Sequence, residues 1–120
     1  MIPPTLNYVW IADKRPLGLL ELAVIEQGVK ISGCQVVLHT DKHVDISGVQ
    51  VRLRDFPTKI NGKEAKHIEH RADVARFEIA KAEGGFFCDT DMWLFEPIDT
   101  LCKYENVLAF QNKAYKTVAI

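Results

Sequence analysis

Residues 72–99 read ADVARFEIAKAEGGFFCDTDMWLFEPID, and the order of features inside this stretch decides the fold class. Ala72, Ala75, Ile79 and Ala82 recur at three- and four-residue steps, which is the apolar stripe of an amphipathic helix. Gly84-Gly85 stops the helix, because glycine takes the left-handed cap conformation cheaply. Phe86, Phe87 and Cys88 then form a very short apolar strand, and Asp89, Thr90 and Asp91 stand where it ends. A helix returning into a strand is the repeating unit of an open α/β sheet, and ligands of such sheets collect outside the carboxyl ends of the strands.

Upstream, the same stripe extends through Ile68, so the helix is expected over about residues 64–83. Residues 5–11 (TLNYVWI) are aromatic and β-branched, and Pro3-Pro4 keeps a helix from running into them; they are the first strand. Residues 16–27 (PLGLLELAVIEQ) present a broad apolar surface between Pro16, suited to a first helical turn, and Gly28, suited to a C-cap. Residues 35–40 (QVVLHT) are a continuous apolar run, as in an inner parallel strand covered on both faces. Together these segments make a right-handed β-α-β unit. Val49, Val51 and Leu53 alternate with polar residues, which marks a half-buried strand near an edge, and residues 57–62 read as a loop. Downstream, residues 107–110 and 115–120 read as further strands. The fold class is therefore α/β, a mostly parallel sheet with flanking helices.

Composition narrows the function. Apolar residues make up 48% and charged residues 26% of the 120-residue chain, which is globular rather than disordered. The net charge of −1 is spread without a basic stripe, which speaks against nucleic acid as a partner. Cys34, Cys88 and Cys102 lack C-x-x-C spacing, so neither a disulfide framework nor a zinc knuckle is expected. The opening MIPPTLNYVW has no basic n-region or long apolar run, and no segment approaches the ~20 apolar residues of a membrane span. The expectation is a soluble, cytoplasmic protein in a reducing compartment. At this length it is one domain or a piece of one.

Two carboxylates at i and i+2 just past a strand can turn toward one hard cation, which takes oxygen ligands and keeps waters in its remaining positions. An ion held this way bridges the phosphates of a nucleotide and neutralises a leaving diphosphate. On the preceding helix, Asp73 and Arg76 lie on neighbouring turns of one face, flanking the apolar stripe. They are either a local ion pair worth a few tenths of a kcal/mol or a sugar clamp. In the second case Asp73 accepts from hydroxyls and Arg76 donates to sugar or diphosphate oxygens. Trp10, at the end of the first strand, is either a rim aromatic or a platform on which a base stacks. His39, Asp41, His43 and Asp45 run from a strand end into a loop with no helical spacing to hold a metal, so a solvated loop is expected there. His67, Glu69 and His70 read as a solvated face. No nucleophile-base pair and no Gly-rich phosphate loop of the G-x-G-x-x-G or Walker type occurs.

Ala72-Asp73-x-x-Arg76, Gly84-Gly85, Asp89-Thr90-Asp91 and Pro97-Ile98-Asp99, in that order and spacing, resemble the D-x-D sugar-binding region of family 32 glycosyltransferases. That group includes initiating mannosyltransferases, capsular polysaccharide transferases and, more distantly, glucosylating toxins. Ile2-Pro3 and Tyr8-Val9-Trp10 are similar to the group's opening I-P-K-x-I-H-x-I-W, with Pro4 in place of Lys and Asn7 in place of His. The resemblance implies a partial GT-A fold, a donor-binding half of a larger domain completed by further chain or by a partner subunit. It implies transfer of a sugar from a UDP- or GDP-sugar to a glycan or other acceptor with retention, and a requirement for Mn²⁺ or Mg²⁺. It also implies roles: Trp10 on the base, Asp73 and Arg76 on the donor sugar, Asp89 on hydroxyls with a share of the metal, and Asp91 as the direct metal ligand.

Two other readings compete. A haloacid-dehalogenase-like phosphohydrolase also places D-x-D after an apolar strand, the first Asp as nucleophile. That motif wants Thr or Val two residues past the second Asp, where this chain has Trp93, and it sits near the N-terminus. The other reading is a module that binds a nucleotide sugar without turning it over.

Overall fold

A computed structural model describes residues 1–13, 15–108, 110–112 and 117–118. The chain runs β1 (Thr5–Trp10), α1 (Leu19–Ile31), β2 (Gln35–Thr40), β3 (Val49–Leu53), β4 (Lys59–Ile60), β5 (Lys63–Glu64), α2 (Ile68–Glu83), β6 (Phe86–Phe87), a 3₁₀ segment (Asp99–Lys103), β7 (Phe110–Asn112) and β8 (Thr117–Val118). The main sheet has the order β3-β2-β1-β6 and its pairings are parallel. This is the α/β architecture expected from the sequence, with β3 at an edge.

Alternation along β1 divides the core. Leu6 and Tyr8 face α1 and pack with Val24, Ile25, Val36 and Leu38. Val9 turns to the other face, where Ile11, Phe56, Ala75 and Ile79 form a second cluster under α2. The sheet is thus covered on both sides, and its inner strands can be apolar without alternation. From β1 the chain moves outward through β2 to β3, then returns to place β6 on the opposite side of β1. The direction of strand order reverses between β1 and β6, and the crevice at such a switch point is where open α/β sheets hold ligands.

Several expected boundaries shift: β1 ends at Trp10 rather than Ile11, and α1 begins at Leu19 behind an extended Gly18 rather than in a first turn at Pro16. Gly28 lies inside α1 rather than capping it. A Cβ there would come within 2.4 Å of the Tyr8 hydroxyl, so glycine lets the helix lie close on β1. The second helix starts at Ile68, because Asn61 (φ 52°) and Gly62 (φ 79°) form a two-residue turn joining β4 to β5. An Asn-Gly pair is suited to a hairpin turn with both central residues at positive φ. Residues 57–62 therefore contain the start of a hairpin. Strand β6 ends at Phe87, and β7 begins at Phe110, so Val107 and Leu108 precede it. Of the strand expected over residues 115–120, Thr117–Val118 is β8, and residues 115, 116, 119 and 120 lie outside the described residues.

Glycine ends α2 as expected. Gly84 sits at φ 70° and donates its N–H to the Ala80 carbonyl at 2.9 Å. Beyond the D-x-D turn, the N–H groups of Ile98 and Asp99 both donate to the Ser32 carbonyl, at 3.0 and 3.2 Å. The Pro97-Ile98-Asp99 motif thus fastens the outgoing chain to the turn between α1 and β2. No described helix is long and apolar enough to cross a membrane.

Candidate functional site

Strand β1 ends at Trp10 and β6 ends just before Cys88, so the switch point delivers an indole from one strand and the D-x-D turn from the next. Helix α2 crosses beside them with Asp73 and Arg76 on its inner flank. All five residues, Trp10, Asp73, Arg76, Asp89 and Asp91, line one open cleft of about 1380 Å³.

Arg76 is the centre of the arrangement. Its guanidinium pairs with Asp73 Oδ1 through Nη2 and with Asp89 Oδ1 through Nη1. The local i, i+3 ion pair therefore exists, and the same side chain also reaches across to the strand end. Arg76 is well covered, at 19% side-chain exposure, whereas Asp73 and Asp89 keep 46% and 42%. Asp91 is exposed and lines the cleft. The turn itself is tightened by Met92 N–H donating to the Asp89 carbonyl at 3.0 Å.

Two hard carboxylates on a turn are a donor set that fits Mn²⁺ or Mg²⁺ completed by water and phosphate oxygens. Among the described residues no group of three or more His, Cys, Asp and Glu side chains gathers to hold a metal. Of the four residues expected to form a solvated loop after β2, His43 and Asp45 are exposed, whereas His39 is buried in the sheet and Asp41 is half-buried. His39 is buried and bonded to Asn7 at 2.9 Å, Asp41 Oδ1 accepts from the Ala12 N–H at 2.7 Å, and His43 pairs with Asp45 on the surface.

Trp10 is half-buried, packed partly against the α1-side core. Its indole N–H donates to the Arg15 carbonyl at 3.1 Å, and the Arg15 guanidinium lies 5.0 Å from the ring centroid. Arg15 is in turn held by Glu21 at 2.8 Å. This cation over the indole was invisible in the sequence, where nothing links positions 10, 15 and 21. His67 and Glu69 are exposed on the cleft's rim, and the His67 and His70 rings meet edge to face at 5.3 Å.

Cys88 lines the cleft, yet burial pushes its thiol up to about 11, so it is protonated and inert at neutral pH. Burial and the neighbouring Cys102 and Asp99 raise Cys34 to about 11 as well. All three cysteines are free.

Residues 28–108 match the glycosyltransferase sugar-binding region containing the DXD motif. The chain belongs to that family. The matched span holds Asp73, Arg76, Asp89 and Asp91, while Trp10 precedes it. Family membership sets the phosphohydrolase alternative aside. Over 55 residues the chain is also 36% identical to glucan organizing enzyme 1 of Cryptococcus neoformans var. grubii, a stretch that covers 46% of this chain and 15% of that protein. The chain thus aligns with a small part of its curated relative's length. No solved structure matches it at a significant level.

Proposed function

We propose that this chain binds a nucleoside-diphosphate sugar in the switch-point cleft and is the donor-binding part of a retaining glycosyltransferase of the family 32 type, with a glycan or other hydroxyl compound as acceptor. The observation that carries this reading is the Asp73-Arg76-Asp89 bridge, which joins α2 to the D-x-D turn in the same cleft as Trp10. Trp10 packs against a uracil or guanine base, sharing its indole with the Arg15 guanidinium. Asp73 accepts from sugar hydroxyls, and Arg76 donates to sugar or diphosphate oxygens through the fork it already presents. Asp89 keeps one oxygen on Arg76 and turns the other toward a hydroxyl or a metal, with Asp91 as the principal metal ligand. A divalent cation held there supplies charge neutralisation for the departing diphosphate.

Isothermal calorimetry of UDP-glucose and GDP-mannose, with Mn²⁺ present and with chelator, tests the proposal. The expected outcome is measurable affinity for one of them with Mn²⁺ and a loss of about tenfold or more without it. Equal affinity in both conditions rejects a bridging metal.

The alternative reading is a module that binds the nucleotide sugar without turning it over. Release of free sugar from the donor under the same conditions distinguishes the enzyme from the module.

A further inference from the structure

The short strand β6 has little to hold it. It pairs with β1 only at Leu6↔Phe86 and Asn7↔Phe87, yet it must present the turn that begins at Asp89. Asn7 fastens it twice. Its backbone carbonyl accepts from the Cys88 N–H at 3.1 Å, and its side-chain Nδ2 donates to the Phe86 carbonyl at 3.1 Å.

That amide is itself fixed from behind. Asn7 Oδ1 lies 2.9 Å from His39 Nε2, and His39 Nδ1 lies 2.8 Å from Arg54 Nε, whose Nη2 reaches Glu83 Oε2 at 3.0 Å. The two ends determine every role between them. The Phe86 carbonyl can only accept, so Asn7 must turn its nitrogen to it and its oxygen to His39; the guanidinium can only donate, so His39 Nδ1 must accept. The imidazole is therefore neutral, with its proton on Nε2 and donated to Asn7. Both Asn7 and His39 are buried, at 4% and 0% exposure, so a partner lost from this line is not replaced by bulk water.

Glu83 is the last residue of α2, the helix that carries Asp73 and Arg76. Phe86 opens the strand that carries Asp89. The line of hydrogen bonds thus starts on one element of the Arg76–Asp89 ion pair and ends on the other, closing around Gly84-Gly85. We infer that Asn7 and His39 are positioning residues of the donor site: the Glu83-Arg54-His39-Asn7-Phe86 relay fixes where α2 and the D-x-D turn stand relative to each other. The inference rests on the donor-site reading above for its consequence on ligands, but its structural content stands without any ligand.

The test uses ¹⁵N NMR of the whole chain and calorimetry with Mn²⁺ and UDP-glucose or GDP-mannose, whichever the native chain binds. His39→Leu removes both hydrogen bonds of the ring, whereas His39→Gln restores a donor toward Asn7. The expected result is that His39→Leu, with a dispersed spectrum, displaces the amide resonances of residues 88–91 and the Arg76 Nε–H resonance. It also weakens the nucleotide sugar by about tenfold or more, and His39→Gln returns both readouts toward native. If His39→Leu does not fold, Arg54→Met breaks the relay at its half-exposed outer link, and the same resonances should move. Native shifts for residues 88–91 and Arg76 in a folded variant overturn the inference. No binding by the native chain, with the shifts moved, overturns the donor-site reading and leaves the relay standing.

Discussion

Arg76 faces two carboxylates at once, Asp73 on its own helix and Asp89 on the next strand end, and it is the least exposed member of the group. Removing its charge leaves both acids without their shared partner and removes a donor fork from the cleft wall. Arg76→Ala should therefore weaken an intact UDP- or GDP-sugar by about tenfold more than the corresponding nucleoside diphosphate, on the order of 1.4 kcal/mol. Calorimetry with the two ligands side by side gives the difference, and an equal loss for both moves Arg76 off the sugar. His39 makes a prediction about stability. Its burial first, and then the Arg54 guanidinium, lowers it from 6.5 to about 4 in the folded chain. The unfolded chain then takes up the proton more readily, so this contribution to stability is complete above pH 6.5 and falls as pH drops toward 4. Urea unfolding at pH 7 and pH 5 should show a loss of about 2 kcal/mol assignable to His39, seen as a flatter pH response in His39→Gln. At this scale the D-x-D pair and the Asp73/Arg76 couple were legible, because helical spacing and a strand end put them on predictable faces. The Asn7 relay was not, since Asn7 and Phe86 are 79 residues apart and only the register of β1 on β6 joins them. Position 7 was visible only as an Asn where similar sequences carry His.

Among the elements, β6 shows how a two-residue strand is kept in place. Gly85 lies at φ 95°, and a Cβ on it would fall 2.2 Å from Thr5 Oγ1 and 2.7 Å from Asn7 Nδ2. The Asn7 amide cannot move aside without releasing the Phe86 carbonyl. Gly62, in the β4–β5 turn, has φ 79° with nothing near where its Cβ would be. The two glycines therefore separate backbone strain from crowding. Gly62→Ala should cost about 1 kcal/mol in urea unfolding, and Gly85→Ala about 3 kcal/mol or more, since crowding against a fixed amide is added. Equal costs would show that β6 yields freely. The elements themselves were mostly readable: β2 and β3 have the bounds that their apolar run and alternation imply. The β4–β5 hairpin is hidden because Lys63, Glu64 and Ala65, which follow the Asn61-Gly62 turn, read as the approach to the helix. Gly28 was misplaced as a cap for a similar reason: its actual role depends on the approach of Tyr8, which no local pattern encodes.

For the molecule as a whole, the sheet order sets the direction of coupling between ligand and fold. The cleft is assembled from the end of β1, the flank of α2 and the turn after β6, so a ligand that spans it adds to the joints already made by Gly84-Gly85, the relay and the Arg76–Asp89 ion pair. Asp89 already serves Arg76, and no third metal-binding side chain gathers near the described turn. A divalent cation alone therefore has few protein ligands, and a nucleoside diphosphate alone places its charge beside Asp89 and Asp91. On the proposed reading each would need the other: phosphate oxygens would complete the cation's shell, and the cation would screen the carboxylates from the phosphates. Thermal unfolding should accordingly shift little with Mn²⁺ alone or UDP alone. With both present at about a hundred times the dissociation constant, linkage stabilises the folded chain by ~2.7 kcal/mol, a rise on the order of 10 °C for a domain of this size. Additive small shifts from the separate ligands would mean that they occupy independent places, and that the D-x-D turn does not join metal to diphosphate.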